Sequence, residues 1–123
     1  IRATVRIRLA VGPEVLAGST RLKAATATKL VLNMLTLGTM VRLGKVYGHL
    51  MVDVRPTSRK LRARAIRIIQ ELTGCGPAAA ARTLHQAHGR VKVAVLMVHG
   101  RMSEAAARHR LAAARDSLRD ALV

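Results

Sequence analysis

GPEVLAGSTRLKAATATK, residues Gly12 to Lys29, is the stretch on which the reading of this chain turns. It joins an alternating, strand-like segment to a long apolar run through Gly12-Pro13 and Gly18-Ser19-Thr20. A glycine and two hydroxyl residues at a helix start leave backbone N–H groups without intrahelical partners, and the helix dipole adds partial positive charge there. That combination suits an anion such as a phosphate. Arg21, Lys23 and Lys29 add full positive charge, and Glu14 is the one acid in the stretch. The structural alternative is that Ser19 or Thr20 caps the helix and Gly18 permits a tight turn. The stretch is not a P-loop: five residues separate Gly12 from Gly18, and no Lys-Ser or Lys-Thr pair follows.

On the amino-terminal side, Ile1, Ala3, Val5, Ile7, Leu9 and Val11 alternate with Arg2, Thr4, Arg6, Arg8 and Ala10. This period of two predicts a half-buried strand. Its three arginines suit an edge position, since a central parallel strand is apolar on both faces. One strand cannot satisfy its own backbone groups, so partners are expected outside it. The chain is therefore read as a carboxy-terminal piece of a longer protein, cut within a sheet-containing domain. On the other side, Leu22, Leu30, Val31, Leu32, Met34, Leu35 and Leu37 predict a helix from Thr20 to about Leu37, apolar almost all round and hence buried. Asn33 on that helix needs a partner if buried. Gly38 allows a break, Thr39 to Leu43 a second short helix, and Gly44 to Gly48 an irregular loop.

Residues 12–29, continued by LVLNMLTLGTMVRLGKVYGHLMVDV (Leu30 to Val54), closely resemble the signature of the N-acetylmuramic acid 6-phosphate etherase and glucokinase regulatory protein family, the etherase branch in particular. The resemblance weakens after about Arg55 but covers the remaining layout. It implies a mostly α chain: residues 1–54 as the end of a sugar-isomerase-type α/β domain with one strand and a long buried helix, 55–74 as a connecting helix, and 75–123 as a ubiquitin-associated-like helical tail. It implies a carbon–oxygen lyase that splits the lactyl ether into N-acetylglucosamine 6-phosphate and D-lactate during cell-wall amino-sugar recycling. Lactate elimination and water addition would be served by a glutamate pair lying outside this chain, so no catalytic residue is assigned and this segment alone is expected to be inactive. Glu14, Ser19, Thr20, Arg21 and Lys23 are then expected to line the sugar-phosphate pocket. A homodimer, a phosphorylated amino-sugar ligand and no cofactor follow from the same resemblance. Ala25, where the family often has glycine, is a mild departure. Two alternatives remain: a non-catalytic sugar-phosphate-binding regulator and a basic helical nucleic-acid-binding protein.

Composition bounds these readings. The 123 residues suffice for one small domain or parts of two. Half are hydrophobic but Phe and Trp are absent, so the core must be aliphatic. The single Cys75 rules out an intramolecular disulfide. No signal peptide or uncharged apolar run of about 18 residues is visible, so a cytoplasmic chain with no membrane association is expected. A net charge of +16 favours non-specific attraction to polyanions. Specific nucleic-acid recognition is disfavoured, because the basic residues are scattered and stacking aromatics are nearly absent.

Beyond Pro56, Thr57 or Ser58 caps a predicted helix from Arg59 to Leu72, with Leu61, Ala65, Ile68, Ile69 and Leu72 on one face and Arg59, Arg62 and Arg67 off it. Thr73 to Pro77 breaks it. An internal repeat follows: Leu84, Ala87, Val91, Lys92, Ala94 and Val95 recur as Leu111, Ala114, Leu118, Arg119, Ala121 and Leu122, at an offset of 27. Each copy predicts helix, turn, helix, with Gly89 and Asp116 in the turns and Ser103 capping a helix near Glu104. A helix-turn-helix DNA reader shares this layout but is weakly signalled. The five histidines and Cys75 lack metal-ligand spacing, so no metal site is expected. Among six carboxylates none forms an evident acid–base pair, and Glu14 alone sits in a ligand-like loop.

Overall fold

The computed structural model describes residues 4–123, and the chain divides into two units, Ile1–Thr39 and Met40–Val123. In the first unit, the predicted strand does not form over its described part: residues 4–11 join no ladder, and residues 1–3 lie outside the described residues. Alternation makes a segment suitable for a sheet but cannot supply the neighbour that accepts its hydrogen bonds. Helix α1 (Lys23–Arg42) begins three residues later than predicted and runs unbroken through Gly38, replacing the expected second short helix.

The expected burial of α1 is also corrected. None of its residues is buried, and Leu32, Met34 and Leu37 are 56%, 65% and 59% exposed. Its apolar surface is met only in part: Val31, Leu32 and Leu35 line a groove with Val5, Ile7 and Leu9. Asn33 is exposed and needs no protein partner. Three of its four threonines, in contrast, are internally satisfied: the hydroxyls of Thr28, Thr36 and Thr39 donate to the carbonyls of Ala24, Leu32 and Leu35 at 2.8, 2.9 and 2.7 Å. By length and composition α1 also meets the criterion for a membrane span, one that core helices of soluble proteins meet equally.

After the last residues of α1, the second unit forms a small antiparallel hairpin, β1 (Val46–Tyr47) and β2 (Leu50–Met51), which pairs Val46 with Met51 and Tyr47 with Leu50. The irregular loop expected there is thus partly ordered, because Gly48 adopts φ 57°, as a two-residue hairpin turn demands. Helix α2 (Arg59–Thr73) starts at Ser58, whose Oγ accepts the Leu61 N–H at 3.2 Å, and ends at Gly74 in the left-handed region. Its apolar stripe buries Ala65, Ile68 and Ile69 and leaves the arginines Arg59, Arg62 and Arg67 exposed.

Four helices complete the unit: α3 (Pro77–Gln86), α4 (Val91–His99), α5 (Glu104–Ala113) and α6 (Leu118–Leu122). The sequence repeat is a structural one. The Gly89 N–H donates to Leu84 O and the Asp116 N–H to Leu111 O, both at 2.9 Å. Arg90 N–H donates to Ala87 O and Ser117 N–H to Ala114 O, again at the same offset. Each turn holds two successive residues at positive φ, His88-Gly89 and Arg115-Asp116. Leu84 and Leu111, Val91 and Leu118, and Ala94 and Ala121 are buried in matching positions. Val52 and the α2 stripe share the core with them. Ser103 caps α5 as expected, its Oγ accepting the Ala106 N–H at 3.2 Å.

Candidate functional site

The residues singled out around the glycine turn are held together by Glu14. Its two carboxylate oxygens accept the N–H groups of Lys23 and Ala24, both at 2.9 Å, across nine and ten residues of chain. Glu14 therefore caps α1, in place of Ser19 or Thr20. The amides of Lys23 and Ala24 already have an anion of the chain's own. Ala24's hydrogen bond first, then Lys23's, holds the Glu14 carboxyl below its ordinary range against a small opposing effect of burial. A carboxylate so stabilised is a poor proton acceptor, because basicity falls with pKa. Glu14 thus organises the loop and is poorly suited to general-base chemistry at neutral pH.

The other predicted residues fall nearby. Ser19 Oγ accepts the Arg21 N–H at 3.3 Å, a local turn that orders the GST segment. Ser19 N–H donates to Leu16 O at 3.1 Å, closing the turn around Gly18, which has φ 80°. Thr20 lies on a shallow groove along the start of α1 with Ala24, Lys29 and Asn33. Arg21 and Lys23 are exposed, and neither side chain forms an ion pair among the described residues. One loop therefore brings together a structural carboxylate, two hydroxyls and two uncommitted cations. Such an array can bind a phosphate through side chains, with the amides of Lys23 and Ala24 kept by Glu14.

A second polar constellation, unnoticed in the sequence, lies in the second unit. Lys92 is 4% exposed in the first turn of α4, yet its Nζ donates to Asp116 Oδ2 at 2.6 Å and to the Asp116 carbonyl at 2.8 Å. Asp53 Oδ1 stands 4.0 Å from the same ammonium, and Asp53 Oδ2 pairs with Lys45 at 3.2 Å. The signal was available: a lysine inside VKVAVLMV, on a helix with Val91 to Leu96 buried, must find partners. At the position repeat-equivalent to Lys92, Arg119 lies 6.0 Å from the Tyr47 ring centroid instead. Glu71 pairs with His49 at 3.1 Å and Glu104 with Arg108 at 3.7 Å. Among the described residues no metal-holding group of His, Cys, Asp or Glu occurs.

No protein-family model matches the chain. Comparison with curated proteins finds extensive similarity. A protein of Gloeobacter violaceus named N-acetylmuramic acid 6-phosphate etherase is 62% identical over 96 residues, 78% of this chain and 31% of the relative. One of that name from a Picosynechococcus species is 51% identical over 120 residues, 98% of this chain and 40% of the relative. Another from Cutibacterium acnes is 54% identical over 106 residues, 86% of this chain and 35% of the relative. The chain thus spans between about a third and two-fifths of the length of these relatives.

Proposed function

Because the chain is a homologue of the N-acetylmuramic acid 6-phosphate etherases, we propose that it is one segment of such an enzyme. The intact protein is then a carbon–oxygen lyase that releases D-lactate from N-acetylmuramic acid 6-phosphate in amino-sugar recycling. It works in the cytoplasm, as a homodimer and without a cofactor. The observation that carries this reading is identity of 51% sustained over 120 of the 123 residues. Residues 1–54 form the end of a sugar-isomerase-type domain, 55–74 a connecting helix and 75–123 a ubiquitin-associated-like tail.

In this reading Ser19, Thr20, Arg21 and Lys23 contact the sugar phosphate, while Glu14 fixes the loop that carries them. The bare apolar surface of α1 supports the same conclusion. A helix with three of its four threonine hydroxyls satisfied by its own backbone, and with apolar residues on most sides, is suited to burial on several of them. The remaining sheet domain and a second subunit are its proposed cover. The catalytic glutamates lie in that remainder, and the 123-residue chain alone is inactive.

The test is a chimera in which this chain replaces the matching segment of the Picosynechococcus relative. Lactate release from N-acetylmuramic acid 6-phosphate is expected from the chimera and not from the isolated chain. A folded, dimeric chimera that releases no lactate would overturn the proposal.

A further inference from the structure

The second unit contains a cleft of about 680 Å³ between the extended segment after β2, the first repeat turn and the second repeat turn. Its volume is that of a small-molecule site. Val52, Val91 and Leu111 give it an apolar floor. Its two acids are already engaged: Asp53 pairs with Lys45, and Asp116 takes the buried Lys92. Arg55 and Arg90 also line the cleft, are exposed, and make no ion pair among the described residues. Thr57 contributes a hydroxyl and His88 an imidazole to the same lining. Counting Lys45, Arg55, Arg90 and Lys92 against Asp53 and Asp116 leaves the lining with two positive charges in excess.

We infer that this cleft binds a small organic phosphate, with Arg55 and Arg90 as its anchors. Guanidinium groups present paired donors matched to phosphate oxygens. The buried Lys92 network keeps the two carboxylates committed, so that they do not repel an incoming anion. The apolar floor accepts the ligand's carbon body. The cleft lies wholly within the second unit and uses none of the residues assigned to the loop around Glu14. The inference is therefore independent of the etherase reading.

The experiment titrates the full chain with inorganic phosphate and with glucose 6-phosphate at constant ionic strength, following backbone amide shifts. Saturable shifts at Arg55, Thr57, Arg90 and Val91 are expected for both probes, tighter for the sugar phosphate. Arg55→Ala and Arg90→Ala should each weaken binding about tenfold, the loss of one hydrogen-bonded charge pair, whereas Arg64→Ala, on exposed α2 surface, changes nothing. Both anchors are exposed, so the variants keep the fold. Unsaturable shifts spread over all the arginines, or equal weakening by Arg64→Ala and Arg90→Ala, would show diffuse attraction to anions and overturn the inference. Binding of a polyphosphate but neither small probe would overturn it too.

Discussion

Replacing Asp116 by alanine isolates the consequences of the buried lysine. In the native unit the Lys92 ammonium, almost wholly out of water, holds Asp116 Oδ2 at 2.6 Å and the carbonyl of the same residue at 2.8 Å. Removing one partner of a fully buried pair costs about 3–5 kcal/mol. The Asp116 side chain is 54% exposed, so water partly screens the pair, and Asp53 remains 4.0 Å away to share the charge. That reduces the expected loss to about 2 kcal/mol. Asp116 also adopts φ 62°, where alanine is less tolerated than aspartate by about a further 0.5–1 kcal/mol. Asp116→Ala should therefore cost about 2–3 kcal/mol, and Asp116→Asn, which keeps an acceptor and suits this backbone, about 1 kcal/mol. Lys92→Met removes the buried charge itself and leaves both carboxylates free to hydrate, so it should fall within about 1 kcal/mol of the native value. Urea unfolding monitored by helical circular dichroism reads the order, provided the m-value is unchanged. If Lys92→Met were as damaging as Asp116→Ala, the penalty would lie in losing the bonds to the Asp116 carboxylate and carbonyl, and the reasoning from an uncompensated buried charge would be wrong.

Other expectations follow from single contacts. At Gly89, with φ 77°, a Cβ would stand 3.0 Å from Pro56 Cγ; Gly89→Ala should cost about 2 kcal/mol in urea unfolding, combining left-handed strain with a tight contact. Leu84→Ala and Leu111→Ala, at matched buried positions, should each cost about 2–4 kcal/mol, and a difference above about 2 kcal/mol would show that the two repeats are not packed alike. Glu14 has a lowered pKa through its bonds to Ala24 and Lys23, so its support for the start of α1 is complete above the unfolded carboxylate pKa and is lost as pH falls through the lowered folded value. The protection of those two amides, relative to their intrinsic exchange rates, should fall as pH drops through that value and be low at every pH in Glu14→Gln. The isolated chain should self-associate in light scattering through the bare face of α1, and Leu32→Glu with Leu35→Glu should reduce the associated fraction markedly.

The parts legible in sequence were those decided locally. Ser58 and Ser103 act as caps because a serine before a helix meets amides only three residues away. The α2 stripe of Ala65, Ile68 and Ile69 follows from period alone. The constant offset of 27 extends beyond hydrophobic positions to the turn hydrogen bonds themselves, although glycine occupies one turn and aspartate the other. Contacts across longer stretches of chain were hidden. The bonds from Lys92 to Asp116 cross 24 residues, and the cap of α1 comes from Glu14 and not from the adjacent hydroxyls.

The misreading of α1 has a different physical origin. Periodicity reports which faces of a helix are apolar, and α1 is apolar on most of them. It does not report whether the surface that covers those faces belongs to the same stretch of chain. The core of the second unit is closed by its own residues, Val52 through Ala121, so pattern and burial agree there. In the first unit Leu30 and Leu35 remain 49% and 53% exposed, and the alternating segment before them has no strand beside it among the described residues. Helix and segment share a groove lined by Val5, Ile7, Leu9, Val31, Leu32 and Leu35, which leaves most of the apolar surface of both uncovered by the described residues. The region shared with this chain is 31–40% of the relatives' length, which leaves room in them for further surface to cover both.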